Sequence, residues 1–146
     1  MTIPAAARVL LPERAALAWP GSSVDADRVM ALPPGAPVAL ADRRLGSRAR
    51  LRRYAARLGV VVDAEYVVLP TWNRAAFVAN DDPASLRWLM STLATTPPNL
   101  SRGRLALDVA LRVWLSLAAA GRPGAGLAAR LLVVVAPGRL VIGRRR

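Results

Sequence analysis

The stretch from Leu32 to Asn80 confines the chain to few folds. It opens on Leu32-Pro33-Pro34-Gly35, which stops any preceding helix and turns the chain. Val38 to Ala41 follows as a short strand, too apolar to be half exposed. The spacing then predicts a helix with Ser47 at its N-cap and Gly59 just past its end. Leu51, Tyr54, Ala55 and Leu58 recur at i, i+3, i+4 and i+7, so they form its buried face. Val60 to Leu69 is the longest strand, continuous through Val60-Val61-Val62 and more alternating from Asp63 on, as at a sheet rim. Pro70 to Asn73 turns, and Arg74 to Ala79 returns as an apolar strand, giving a hairpin. Strands separated by a helix of this length predict an α/β domain.

At 146 residues the chain is expected to form one domain with a single core. Hydrophobic residues make up 54% of it but aromatics only 5%, so small and branched side chains must fill that core. Every one of the 21 basic residues is arginine, and against nine acids they leave a formal charge of +12. Such a charge favours contact with phosphates, nucleic acid or an anionic membrane face. Arginine without lysine is itself what a GC-rich genome encodes. Neither cysteine nor histidine occurs, which excludes disulfides, thiolate nucleophiles, Ser-His triads and the usual zinc sites. Pro4, Pro12, Glu13 and Arg14 break any N-terminal apolar run, so no signal peptide is expected. No apolar stretch reaches the ~20 residues that span a bilayer. A cytoplasmic protein, peripheral at the inner membrane face, is the expectation.

Outside the central stretch, Ala7 to Leu11 is predicted as a strand between two prolines, and Ala15 to Trp19 as a second short element ended by Pro20-Gly21. Ser22 or Ser23 caps a helix over Val24 to Leu32, with Asp25 and Asp27 in the first turn, where the helix dipole favours acids. Asp82-Pro83 starts a further helix with a stripe of Leu86, Leu89, Met90 and Leu93. Trp88 lies off that stripe and is expected to be covered by another element. Thr95 to Asn99 reads as a linker. From Ser101 to Gly121 a second long helix is apolar on most sides, so its segment 102–120 is expected to dock on something or mediate oligomerisation. The glycines of Arg122 to Gly126 do not follow a strand and are no phosphate loop. Leu131 to Val135 and Leu140 to Ile142 read as a hairpin, and Arg144 to Arg146 as a basic tail. The expected organisation is a sheet core over 1–80, a helical pair over 81–121, and a C-terminal hairpin with its tail over 122–146.

Two groups of side chains are candidates for function. Arg43, Arg44, Arg48 and Arg52 crowd the start of the central helix, where the dipole disfavours cations. They are either a solvated face or a site for an anionic ligand, membrane surface or partner protein. No aromatics interleave with them, so stacking on nucleic acid is not expected, nor is sequence-specific nucleic-acid recognition. Asp42 ends the strand before that helix, at the carboxyl edge where open α/β sheets bind ligands. With Trp72 and Arg74 it makes a candidate sheet-edge site. Trp72 itself is a lid over the sheet edge or a binding aromatic. No residue is assigned a catalytic role, and no metal site is expected.

The order of elements from Leu32 to Asn80 resembles the C-terminal half of class I S-adenosylmethionine-dependent methyltransferases, of the type found in actinobacterial envelope-polysaccharide loci. In that family an "L-x-P-G-G" turn leads into the fifth strand. A helix and a "G-F"-like step reach the sixth, and an antiparallel seventh strand follows. Leu32-Pro33-Pro34-Gly35, Val38 to Ala41, Ser47 to Leu58, Leu58-Gly59-Val60 and Tyr66 to Leu69 fill these places, with Arg74 to Ala79 as the antiparallel strand. Ala36 and Pro37 replace the second glycine and its successor, and the family's glycine-rich cofactor loop has no counterpart. The resemblance therefore implies a small partial Rossmann-like sheet with β-hairpins, flanked by three to four helices. It also implies a truncated or degenerate methyltransferase-like domain associated with cell-envelope polysaccharide biosynthesis. No cofactor is expected, and catalysis by the chain alone is not. The alternative is a non-enzymatic basic α/β adaptor.

Overall fold

The computed structural model describes residues 3–44, 46–69, 72, 75, 77–95 and 138–146. By contact density the chain falls into two compact units, Met1–Asn80 with Val133–Arg146, and Asp81–Leu132. The first holds α1 (Ala5–Arg8), β1 (Ala16–Ala18), α2 (Ser23–Met30), β2 (Pro37–Asp42), α3 (Arg48–Arg57), β3 (Val60–Leu69), β4 (Phe77–Asn80) and, after the second unit, β5 (Arg139–Arg145). The fold is α/β: a five-stranded mixed sheet flanked by helices, in the order β1-β2-β5-β3-β4.

β1 runs parallel to β2, β5 runs antiparallel to both β2 and β3, and β4 is antiparallel to β3. The last strand in sequence therefore lies in the middle of the sheet, between two parallel strands that α3 connects. Side-chain alternation along β2 separates two cores. Val38 and Leu40 face α2 and α3, joining Val29, Leu51, Tyr54, Ala55 and Leu58. Ala39 and Ala41 face the other way, with Ala7 of α1, Trp72, Leu140 and Ile142. The helix face predicted for α3 is the one found, and Leu51 is wholly shielded from water.

A β-bulge in β3 decides which side chains reach α3. Val62 pairs with Gly143 but Ala64 with Ile142, so Asp63 is the extra residue. Val60 and Val62 pack on the α3 side, whereas beyond the bulge Tyr66 and Val68 pack on the opposite side. An uninterrupted strand would hold all four on one face. The inserted residue instead turns Glu65 toward the arginines of α3 and lets Asp63 accept a 2.9 Å hydrogen bond from Arg144 Nε.

Several expectations need correction. Ala5–Arg8 is helical, where a strand was expected over Ala7 to Leu11. The Pro4 carbonyl accepts the Ala7 and Arg8 N–H groups at 3.0 Å each, and a run of alanines has little to gain from a pleat. Arg144 and Arg145 belong to β5 rather than to a tail. Ser47 precedes α3 but makes no side-chain cap, because its φ of −71° and ψ of −5° are already helical. At the far end Gly59 adopts φ +63°, the left-handed residue the helix stop requires.

In the second unit α4 (Pro83–Thr95) starts where the sequence places it. Asp82 Oδ1 accepts the N–H groups of Ala84 and Ser85 at 3.0 and 2.9 Å. Hydrogen bonds from Ser85, first from its side chain and then its backbone, hold the Asp82 carboxyl below the usual range. Leu86 and Leu89 are buried, but Trp88 is 65% exposed, not covered as expected. The helix expected over Ser101 to Gly121, its apolar segment 102–120, and the first strand of the C-terminal hairpin lie outside the described residues. Among the described residues no helix is long and apolar enough to cross a membrane.

Candidate functional site

The arginines of α3 project from two different sides of the helix. Toward β3, Arg52 Nε donates to Glu65 Oε1 at 2.6 Å, and Arg48 Nε lies 3.6 Å from Glu65 Oε2. The Glu65 side chain is mostly buried, so two guanidinium groups converge on one shielded carboxylate. Beside this clamp Arg52, Ala56, Val60, Val62 and Arg146 border a cavity of about 460 Å³.

Toward β1, Arg50, Arg53, Tyr54 and Arg57 fall at i, i+3, i+4 and i+7 and form one stripe. Together with Arg44 and Gly21 they border a groove of about 470 Å³. Its upper end lies past the carboxyl ends of two parallel strands. Gly21 follows β1 and Arg44 follows β2. Open α/β sheets bind their ligands at such edges.

Asp42 lies behind that end and reaches it through Arg50 and Arg44. It is buried, and its Oδ2 accepts a 2.7 Å hydrogen bond from Arg50 Nε while its Oδ1 accepts the Arg44 N–H at 3.1 Å. In register across β5 sits Arg139, which is also buried. A carboxylate taken out of water needs partners such as Arg50 and the Arg44 N–H, since removing one leaves an uncompensated charge. Arg50 is thereby held in place, its charge balanced by Asp42. The side chains of Arg44, Arg53 and Arg57 have no acidic partner among the described residues. Arg53 Nε donates to the Ala49 carbonyl at 3.3 Å, and the Arg57 guanidinium lies 5.1 Å from the centre of the Tyr54 ring. The groove thus carries an excess of positive charge.

Tyr54 is buried, and its hydroxyl has no hydrogen-bond partner among the described residues. Burial raises its pKa, the Arg57 charge pulls it back, and Asp25 raises it further. The net shift is upward, so at neutral pH the phenol is protonated and is a hydrogen-bond donor.

The residues singled out from the sequence do not gather in one place. Arg44 borders the groove, Arg43 is exposed beside it, and Arg48 and Arg52 engage Glu65 on the opposite flank. Trp72 is buried in the second core, edge-on to Trp19 with ring centres 5.2 Å apart, so it caps that core. Asp42 points to the α3 side and Trp72 to the other, so they share no site, and Arg74 lies outside the described residues. Sequence reading missed Arg50, Arg53 and Arg57 as a group. Arg43, Arg44, Arg48 and Arg52 are neighbours along the chain, whereas the 50, 53, 57 spacing is the signal that places three arginines on one helix face. No family model matches the chain, and no curated protein or solved structure is significantly similar to it.

Proposed function

We propose that this chain carries half of a methyltransferase-like sheet that does not catalyse methyl transfer by itself and serves cell-envelope polysaccharide synthesis. The observation that supports this reading is the strand order β1-β2-β5-β3. In class I methyltransferases an antiparallel seventh strand enters the sheet between the parallel fifth and sixth. Here β5 lies antiparallel between β2 and β3, joined through α3. The strand in that position is β5, not the segment 74–79 to which the resemblance assigned it; β4 pairs on the outer side of β3. β1 would then correspond to the fourth strand. No glycine-rich loop follows β1 or β2 in the sequence, which is the reason for a non-catalytic role.

Titration calorimetry of the isolated chain with S-adenosylmethionine should give no saturable heat. Saturable micromolar binding would replace this reading with a complete cofactor site. Deleting the gene should alter the methylation or amount of envelope polysaccharide, and an unchanged glycan profile would remove the envelope assignment. A second reading, a basic adaptor for an anionic ligand, draws on the arginine-lined groove alone.

A further inference from the structure

The groove between α3 and the turn after β1 has features that a solvated helix face lacks. Its guanidinium groups come from two elements, the loop after β2 and three turns of α3. One of them, Arg50, is fixed from below by the buried Asp42. The other three have no carboxylate within ion-pair distance among the described residues, in contrast to Arg48 and Arg52 across the helix, and Asp25, whose charge reaches Tyr54, is paired with Arg28. Like charges gathered in this way repel. Tyr54 borders the same groove, and its hydroxyl is shielded from water and unpartnered. At about 470 Å³ the space suits a small molecule rather than a single ion.

We propose that the groove lined by Arg44, Arg50, Arg53, Arg57 and Tyr54 binds the diphosphate group of a small phosphoester. Guanidinium forks match phosphate oxygens in pairs, and three unbalanced positive charges match the two or three negative charges of a diphosphate. The Tyr54 ring and the Pro20-Gly21 turn give the rest of the ligand an apolar wall. The proposal does not depend on the methyltransferase-like reading. It rests on the anion-binding one and narrows it to a ligand class.

The test is calorimetry of the full chain with inorganic pyrophosphate, against orthophosphate as the weaker comparator. Arg53→Gln/Arg57→Gln should weaken pyrophosphate binding at least about tenfold, because charge-assisted contacts are lost. Arg8→Gln/Arg14→Gln removes the same charge from exposed positions outside the groove and should leave binding unchanged. Circular dichroism confirms that each variant is folded, which is expected because Arg53 and Arg57 are exposed. Vesicles of equal phosphatidylglycerol and phosphatidylcholine separate the two sources of phosphate. Vesicle binding that pyrophosphate displaces and the groove variant loses assigns the site to a lipid headgroup. No saturable pyrophosphate binding, or equal weakening in both double variants, overturns the proposal. Vesicle binding that persists in that case leaves the broader anion-binding reading standing without it.

Discussion

Leu51 and Asp42 show how differently single residues of this chain depend on their surroundings. Leu51 lies at the centre of the α3 contact with the sheet, with no exposed surface. Leu51→Ala should cost roughly 2–5 kcal/mol, the sum of lost transfer energy and the cavity left behind. Urea titration is the check, and an unchanged midpoint would contradict the packing described. Asp42 depends on Arg50, eight residues away in sequence, which donates to it, while Arg139, 97 residues away, is its register neighbour in β5. Trp88 is the converse case. A large aromatic off the apolar stripe was expected to find cover, yet it stands exposed. Periodicity assigns a face to a residue but does not say what lies opposite it.

Among the elements, β5 shows most clearly how backbone proximity constrains side-chain choice. Gly143 sits opposite both Val38 and Val62, immediately beside the bulge in β3. A methyl group there would collide with the Val61 carbonyl and crowd Val60, and backbone cannot move aside as a flexible side chain can. Gly143→Ala should therefore destabilise the fold by about 1–3 kcal/mol, despite the better strand propensity of alanine. Denaturant unfolding measures it, and a neutral result would show that β3 yields at the bulge. The bulge also explains why two arginines of α3 find Glu65. The extra residue at Asp63 moves Glu65 to the helix side, a shift of face that the sequence pattern alone does not reveal.

For the whole molecule, the position of β5 has the largest consequence. Read from sequence, the last residues form one strand of a hairpin and a basic tail. In the structure they bridge β2 and β3, which are not otherwise paired with each other. A variant ending at Gly138 should lose its cooperative thermal transition, because β3 and β4 would be separated from β1 and β2. A transition within a few degrees of the full chain would overturn that assignment. The sequence by itself determined the α/β class, the presence of α2, the extents of α3 and β3, the buried face of α3 and the cap of α4. These depend on local periodicity, turn residues and caps, which act over a few neighbouring positions. Only the tertiary structure decided the insertion of β5, the bulge at Asp63, the burial of Trp72 away from Asp42, and the sorting of the α3 arginines into a carboxylate clamp and an open groove. Each of these is set by which distant strand comes to lie alongside, and pairing energy is nearly indifferent to separation along the chain once the loop is closed.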